Sequence, residues 1–171
     1  RFLIAEKYTS PAHLAVRGTS AGGIAVGGAI VQHPELYGAA VDNVGMTNLL
    51  RFQQTQGGAA NIPEFGDVTN ADDFKYMYNE DAYVHVKDGT RYPAVMGVTG
   101  LNDPRVPTWM VAKMIARLQA ATSSGKPVLL RVDYDAGHGI GSSRTQQMNE
   151  RADEWTFLLW QLGDTEFQPR Q

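Results

Sequence analysis

The stretch Gly-Thr-Ser-Ala-Gly-Gly at residues 18–23 decides the fold, because it joins two segments of different hydrophobic pattern. Residues 13–17 (His-Leu-Ala-Val-Arg) come before it and predict a short β-strand. Residues 22–31 follow as a run of small and apolar side chains, which predicts a helix that ends before Pro34. A strand that passes through a glycine-rich turn straight into a helix indicates an α/β fold.

The rest of the chain continues this alternation. Apolar runs bounded by turn residues predict three more buried strands, at residues 39–44, 92–99 and 128–134. Two longer helices are predicted from apolar residues spaced i, i+3, i+4 and i+7, the first at residues 111–118. The second has Trp155, Leu158, Leu159 and Leu162. Strands alternating with helices imply a mostly parallel sheet with helices on both faces.

Residues 51–88 break the pattern, because they are polar, rich in Gly, Asn and Asp, and interspersed with aromatic side chains. We expect them to form short helices and loops above the sheet. Excursions of this kind usually shape a binding site, since the regular elements beneath them hold the loops in place.

The composition excludes several classes of function. With 171 residues the chain suffices for one domain, and a net charge of -3 without basic clusters gives no reason to expect nucleic acid or an acidic membrane surface as partner. The absence of cysteine excludes disulfides and thiolate chemistry. The longest apolar stretch, residues 22–31, is too short to span a bilayer. The chain opens on Arg1 rather than Met, so we expect upstream residues in the working protein, and the compartment stays open between cytoplasm and periplasm or exterior.

Ser20 is the candidate nucleophile, because residues 18–23 match the G-x-S-x-G pattern with one further glycine. A serine on so tight a turn needs small neighbours, and the helix behind it directs its N-terminal N–H groups at the reaction centre. The N–H of Ala21 is placed to donate to an oxyanion. The plainer alternative is a glycine-rich turn with a capping serine.

His138 is the candidate base, since it lies between glycines directly after the fourth predicted strand. The acid should follow a strand between Ser20 and His138, and Asp103 does so after the third strand. Rival carboxylates are Asp42, Asp133 and Asp135. The other histidines are better explained as surface or structural side chains: His13, His33 and His85.

Taken together, these residues resemble the prolyl oligopeptidase family of serine peptidases. The matching segments keep the family's order and spacing and lie at residues 18–23, 33–38, 44–51, 65–67, 92–93, 100–107 and 135–139. The resemblance implies that residues 1–171 are the C-terminal part of an α/β-hydrolase catalytic domain that cuts short peptides, often after proline. It implies a Ser20–Asp103–His138 triad and requires no metal or organic cofactor.

The resemblance also assigns substrate contacts. Arg105 falls where the family has an arginine that grips a substrate carbonyl, a role that suits a permanent cation. Met46 and Val106 fall on positions that line the proline pocket. We align Tyr76 with a tryptophan that stacks on proline, since tyrosine also offers a ring face. A related branch of the family cleaves after Lys or Arg, and Arg105 favours the proline branch.

The chain lacks features that the resemblance leads us to expect. The predicted strands are about half of the family's sheet, and a second oxyanion donor (a tyrosine) and the β-propeller would precede Arg1. One alternative is therefore an inert fragment that assembles through the exposed edge of its first strand, with a second copy or with the missing N-terminal half. Another is a carboxylesterase of the same fold, because fold and triad do not separate the two activities.

Overall fold

The computed structural model describes residues 1–139 and 142–169, and in these residues it forms one sheet of four parallel strands. The strands lie in chain order across the sheet: β1 (Ala15–Thr19), β2 (Ala39–Asn43), β3 (Ala94–Gly100) and β4 (Val128–Asp133). The α-helices are α1 (Phe2–Ala5), α2 (Gly22–Gln32), α3 (Leu49–Phe52), α4 (Ile62–Phe65), α5 (Ala71–Glu80), α6 (Thr108–Ala121) and α7 (Arg144–Gln161). The predicted α/β class with a parallel sheet is therefore confirmed.

The helices cover both faces of the sheet and bury its central strands, β2 and β3, whereas the outer strands β1 and β4 are partly exposed. The prediction that residues 128–134 form a buried strand was therefore wrong in its burial, because β4 is an edge strand. On one face, α2 and α6 pack their apolar side chains against β2 and β3. On the other face, Phe157 and Leu158 of α7 pack against Val41 and Val98. The first strand, β1, ends two residues later than predicted, because its pairing with β2 continues into the turn. None of the helices within residues 1–139 and 142–169 is long and apolar enough to cross a bilayer.

The buried stripe of α7 differs from the predicted one. Glu154, Phe157 and Leu158 face the sheet, whereas Trp155 is 60% exposed. A carboxylate is buried here because Arg17 and Asn43 donate hydrogen bonds to it. Successive helical residues differ by about 100° in direction, so the rotation that buries Glu154 carries Trp155 onto the flank of the helix. The predicted helix is confirmed and Leu158 is buried, but the spacing rule misplaces Trp155 because it scores apolar residues and ignores paired polar ones.

The excursion above the sheet is confirmed for residues 51–88, which form short helices and loops without a strand. The fully buried Asp81 anchors this segment. Its Oδ2 atom accepts hydrogen bonds from Asn48 Nδ2 (2.8 Å) and the Leu50 N–H (2.9 Å), and its Oδ1 atom accepts one from the Val84 N–H. One carboxylate thus ties both ends of the excursion together.

The turn after β1 depends on two close backbone approaches. A Cβ atom on Gly18 would lie 2.5 Å from the carbonyl oxygen of Gly22, and one on Gly23 would lie 2.4 Å from the N atom of Met46. Gly22 itself has no atom within 4 Å of such a position. The extra glycine beyond the G-x-S-x-G pattern is therefore the one whose missing side chain lets α2 pack on the loop after β2.

Asp42 is a buried carboxyl in the middle of the sheet, flanked in register by Gly18 and Gly97. Among the described residues, neither of its oxygens has a hydrogen-bond partner. Because burial disfavours the charged form, the pKa of Asp42 is raised from 3.8 to about 7. The folded protein therefore retains a proton here that the unfolded chain has already released.

We expect Gly22→Ala and Gly23→Ala to behave oppositely in thermal and urea unfolding. Gly22→Ala should leave stability unchanged or raise it by up to about 1 kcal/mol, because alanine stiffens the unfolded chain. Gly23→Ala should lower it by about 1–3 kcal/mol, since the added methyl group forces the backbones apart. Equal effects of the two substitutions would show that the close approach at Gly23 does not exist.

The stability of the protein should fall as the pH rises from about 4 to about 7, in part through Asp42. In this window the folded state binds one proton more than the unfolded state, so each rise in pH favours unfolding. Urea unfolding of the wild type and Asp42→Asn measured across this range isolates the effect. As the pH rises, the free energy of unfolding of the asparagine variant should increase relative to that of the wild type, by about a few kcal/mol in total. A difference in free energy that does not change with pH would contradict the buried, uncompensated carboxyl.

Candidate active site

Three polar side chains form a hydrogen-bonded series at the carboxyl ends of the strands. The Oγ atom of Ser20 lies 2.9 Å from Nε2 of His138, and Nδ1 of the same ring lies 2.7 Å from Oδ2 of Asp103. The histidine and aspartate side chains are almost entirely buried. Because all strands run parallel, the loops that follow β1, β3 and β4 meet at one edge, which is why residues so far apart in sequence come together.

Ser20 stands in a strained backbone conformation, with a φ of 58°. Its neighbours hold it there: its N–H donates to the carbonyl oxygen of Asn43 (3.0 Å), and its own carbonyl accepts from the N–H groups of Gly23 and Met46 (2.9 Å each). Residues in this region persist only where the surroundings over-determine them. The turn therefore presents the serine hydroxyl at the end of the sheet and fixes its direction.

The carboxylate of Asp103 is held by the loop that carries it. Its Oδ1 atom accepts hydrogen bonds from the N–H groups of Arg105 (2.8 Å) and Val106 (2.9 Å), which leaves Oδ2 for His138. An ionised carboxylate can only accept, so the histidine must carry its proton on Nδ1 and present an unprotonated Nε2 to Ser20. This arrangement can draw the hydroxyl proton from Ser20 and stabilise the imidazolium that results.

The rival residues lie elsewhere or have other partners. His13 is hydrogen-bonded to the carbonyl oxygen of Leu162, and His85 to that of Tyr78. His33 lies beside Arg1 and Glu35 on the surface. Asp133 accepts hydrogen bonds from the N–H groups of the turn after β4, Asp135 is exposed in that turn, and Asp42 is enclosed in the sheet. Of the candidate acids, Asp103 is the one in contact with His138.

The N–H of Ala21 is free to meet an oxyanion. In the part of the chain that the structure describes, it donates to no acceptor, and Gly22 begins α2 directly behind it. The positive end of the helix dipole adds to the attraction for negative charge. An oxygen held at this N–H would lie beside the serine hydroxyl, since the two residues are consecutive.

A cavity of about 280 Å³ opens beside Ser20. Its lining combines aliphatic and aromatic side chains with a few polar ones: Ser20, Ala21, Met46, Phe52, Gly57, Asn61, Glu64, Phe65, Pro104, Arg105 and Val106. Met46 and Val106 are buried and form apolar wall, whereas the guanidinium of Arg105 is exposed and has no ion-pair partner among residues 1–139 and 142–169. The cavity can therefore take an apolar group next to a fixed cation.

Tyr76 is not part of this cavity. It lies on α5, is 71% exposed, and borders a separate surface hollow that shares only Glu64 and Phe65 with the first. The aromatic side chains at the cavity are instead Phe52 and Phe65, which meet edge to face with ring centroids 6.0 Å apart. Sequence reasoning missed both, together with Asn61 and Glu64. The available signal was the aromatic content of residues 51–88, which does not say which ring turns inward.

Comparison with known proteins places the chain in a family. Residues 1–165 match the prolyl oligopeptidase family. The prolyl endopeptidase of Elizabethkingia meningoseptica is 34% identical over 163 residues, which cover 95% of this chain and 23% of that protein. A structure from a study of two prolyl endopeptidases superposes with a TM-score of 0.90 at 34% identity and covers 98% of this chain and 24% of its own.

Oligopeptidase B from Leishmania major is also similar, with a TM-score of 0.89 at 27% identity over 94% of this chain and 23% of that one. The chain thus spans about a quarter of the length of the relatives it matches. The match extends over nearly the whole of its own length, including the turn of Ser20 and the loops of Asp103 and His138. The chain belongs to the prolyl oligopeptidase family.

Proposed function

We propose that this chain carries the catalytic residues of a serine peptidase that hydrolyses short peptides after proline. The observation that carries the proposal is the series of hydrogen bonds from Ser20 through His138 to Asp103 beside an open cavity. Family membership supports it, because the relative from Elizabethkingia meningoseptica is a prolyl endopeptidase and the structure with a TM-score of 0.90 comes from a study of such enzymes. No step of the reaction requires a metal or an organic cofactor.

The mechanism is acyl transfer. His138 takes the proton of the Ser20 hydroxyl while the oxygen attacks the carbonyl carbon of the scissile bond. The Ala21 N–H stabilises the oxyanion of the tetrahedral intermediate. His138 then gives the proton to the leaving amine, and the peptide bond breaks. A water molecule attacks the acyl enzyme by the same route, releasing the acid and restoring the serine.

Preference for proline is supported by the walls of the cavity. Met46 and Val106 offer apolar surface for a compact ring, and the exposed Arg105 can hold a backbone carbonyl of the substrate through its fork of N–H groups. Phe65 offers an aromatic face in place of the Tyr76 ring. Glu64 is the carboxylate in this lining, and a preference for Lys or Arg would act through it.

We propose further that residues 1–171 are the C-terminal portion of a larger catalytic domain and associate through β1. This strand pairs on one side only, with β2, so its outer edge is open among the described residues. Asp153 of α7 pairs with Arg131 of β4, so this flank of the helix faces the β4 side of the sheet. Trp155 lies on the opposite flank and therefore adds exposed apolar surface on the β1 side. An open parallel edge with apolar surface drives association.

Light scattering tests the association. We expect a dimer or larger assembly of the isolated chain, and a shift toward monomer in Trp155→Lys, which places a charge on the surface to be covered. Asn149→Lys on the same helix is the control, because Asn149 is exposed one turn before Asp153 and so lies on the flank opposite Trp155; it should leave the mass unchanged. A clean monomer of the wild-type chain would contradict the proposed association.

Labelling by a fluorophosphonate probe tests the nucleophile. The wild type should be labelled, Ser20→Ala should not, and Asp103→Asn should react about 10³–10⁴-fold more slowly because His138 loses its orientation. Turnover by the isolated chain should be low, since a second oxyanion donor supplied from elsewhere is worth about 10²–10³-fold. A folded wild-type sample that resists labelling would contradict a working site in this chain.

Substrate comparison separates the three activities. We expect the wild-type protein, not treated with the probe, to release amine from a peptide amide with proline before the scissile bond, ahead of the matched arginine peptide. A simple acyl ester hydrolysed while both peptides remain intact would identify a carboxylesterase instead. Faster cleavage after arginine, lost in Glu64→Gln, would assign the chain to the basic branch of the family.

A further inference from the structure

A buried polar cluster lies on the α7 face of the sheet, beneath the turn of Ser20. At its centre is Glu154, 1% exposed, whose carboxylate accepts two hydrogen bonds from one guanidinium: Arg17 Nε donates to Oε2 (2.8 Å) and Nη2 to Oε1 (3.2 Å). Asn43 Nδ2 donates to the same carboxylate (2.5 Å) and to Glu150 (2.6 Å). The cluster joins β1, β2 and α7, and nothing in the proposed reaction uses it.

Two paths lead from this cluster to Ser20. The first passes through Asn43, whose side chain is held by α7 while its backbone carbonyl accepts the Ser20 N–H (3.0 Å). The second passes through Arg17, whose Nη1 donates to the hydroxyl of Thr19 (2.9 Å), the residue immediately before the serine. Thr19 and Asn43 face each other as the last paired residues of β1 and β2. Glu154 therefore holds the strand ends on both sides of the point where the turn begins.

Because the backbone of Ser20 is strained, its position depends on these hydrogen bonds. A serine with a φ of 58° relaxes unless its surroundings keep it in place. Of the hydrogen bonds that fix its backbone, one depends directly on Asn43. A small displacement of a nucleophile costs rate without changing what the binding site contacts, because attack requires an aligned approach.

We propose that Glu154 is a positioning residue for Ser20, which acts through Arg17 and Asn43 to hold the nucleophile in its attacking geometry. The inference rests on the proposed function of Ser20 as nucleophile. Glu154 touches neither substrate nor the reacting atoms, so its loss should slow the covalent step and leave probe binding unaltered.

Asp153 supplies a matched control. It is the neighbour of Glu154 on α7 and also pairs with a sheet arginine, Arg131 of β4 (2.7 Å). That pair has no hydrogen-bonded connection to Ser20 in the described residues. Asp153→Asn thus removes an ion pair between the same helix and the same sheet, with no path to the nucleophile.

The test is the kinetics of fluorophosphonate labelling, resolved into a binding constant and a maximal rate. Glu154→Gln keeps the size of the side chain but places an amide among the donors of Arg17 and Asn43. We expect its maximal rate to fall about 10-fold, with the binding constant unchanged. Asp153→Asn should keep both parameters within about twofold of the wild type, because surface ion pairs contribute little.

A paired replacement separates positioning from stability. Replacing a buried ion pair by apolar side chains of similar volume often keeps or raises stability, so Arg17→Met combined with Glu154→Met should fold with a melting temperature near that of the wild type. Its maximal labelling rate should nevertheless stay about 10-fold low, since Thr19 has lost its hydrogen bond to Arg17 and Asn43 keeps only Glu150 as a partner on α7. The paired variant also tests the proposal if Glu154→Gln fails to fold. A wild-type rate in the paired variant, or an equal loss in Asp153→Asn, overturns the proposal.

Amide hydrogen exchange provides a readout that does not need activity. Exchange in residues 18–23 should be faster in Glu154→Gln than in the wild type, whereas Asp153→Asn should leave it unchanged. If the folded wild type does not react with the probe, the proposed function fails for this chain and the exchange comparison alone decides the role of Glu154. Equal exchange in all three proteins would then overturn the positioning role as well.

Discussion

The backbone of Ser20 is the constraint on which the site depends. Its left-handed conformation forces a reversal directly after β1, and this reversal is possible because Gly18 and Gly23 let α2 and the loop after β2 approach without side chains between them. The strained conformation is held by hydrogen bonds to Asn43 at the end of β2 and to Met46 in the loop that follows it. The position of the nucleophile is thus a property of two strands and their packing.

The parallel arrangement of the strands also positions Asp103 and His138. Parallel strands bring their carboxyl ends to one edge, so the loop after β3 delivers Asp103 and the loop after β4 delivers His138 to the serine. The backbone N–H groups that hold Asp103 belong to the loop that also contributes Arg105 and Val106 to the cavity. One short segment therefore orients the histidine and shapes the wall against which a substrate would lie.

Much of this could be predicted from the sequence, because it depends on features that repeat along the chain. Glycine spacing predicts the turn, apolar runs predict the strands, and the order of strands predicts which loops meet. The lining of the cavity could not be predicted in the same way. Tyr76 and Phe65 both lie in a segment without regular periodicity, and only packing decides that Phe65 turns toward Phe52 while Tyr76 faces solvent. At α7, a pattern of apolar residues pointed to Trp155, whereas paired donors from the sheet buried Glu154.

The tautomer of His138 is the most direct test of the site, because the ring must carry its proton on Nδ1 and leave Nε2 to accept from Ser20. Ring ¹⁵N chemical shifts at a pH where the ring is neutral report this tautomer, with His138→Gln to assign the signals. We predict the Nδ1–H form in the wild type and a mixture of both tautomers in Asp103→Asn. A wild-type His138 in the Nε2–H form that free histidine prefers would contradict it, because that nitrogen could not then receive the proton of the serine.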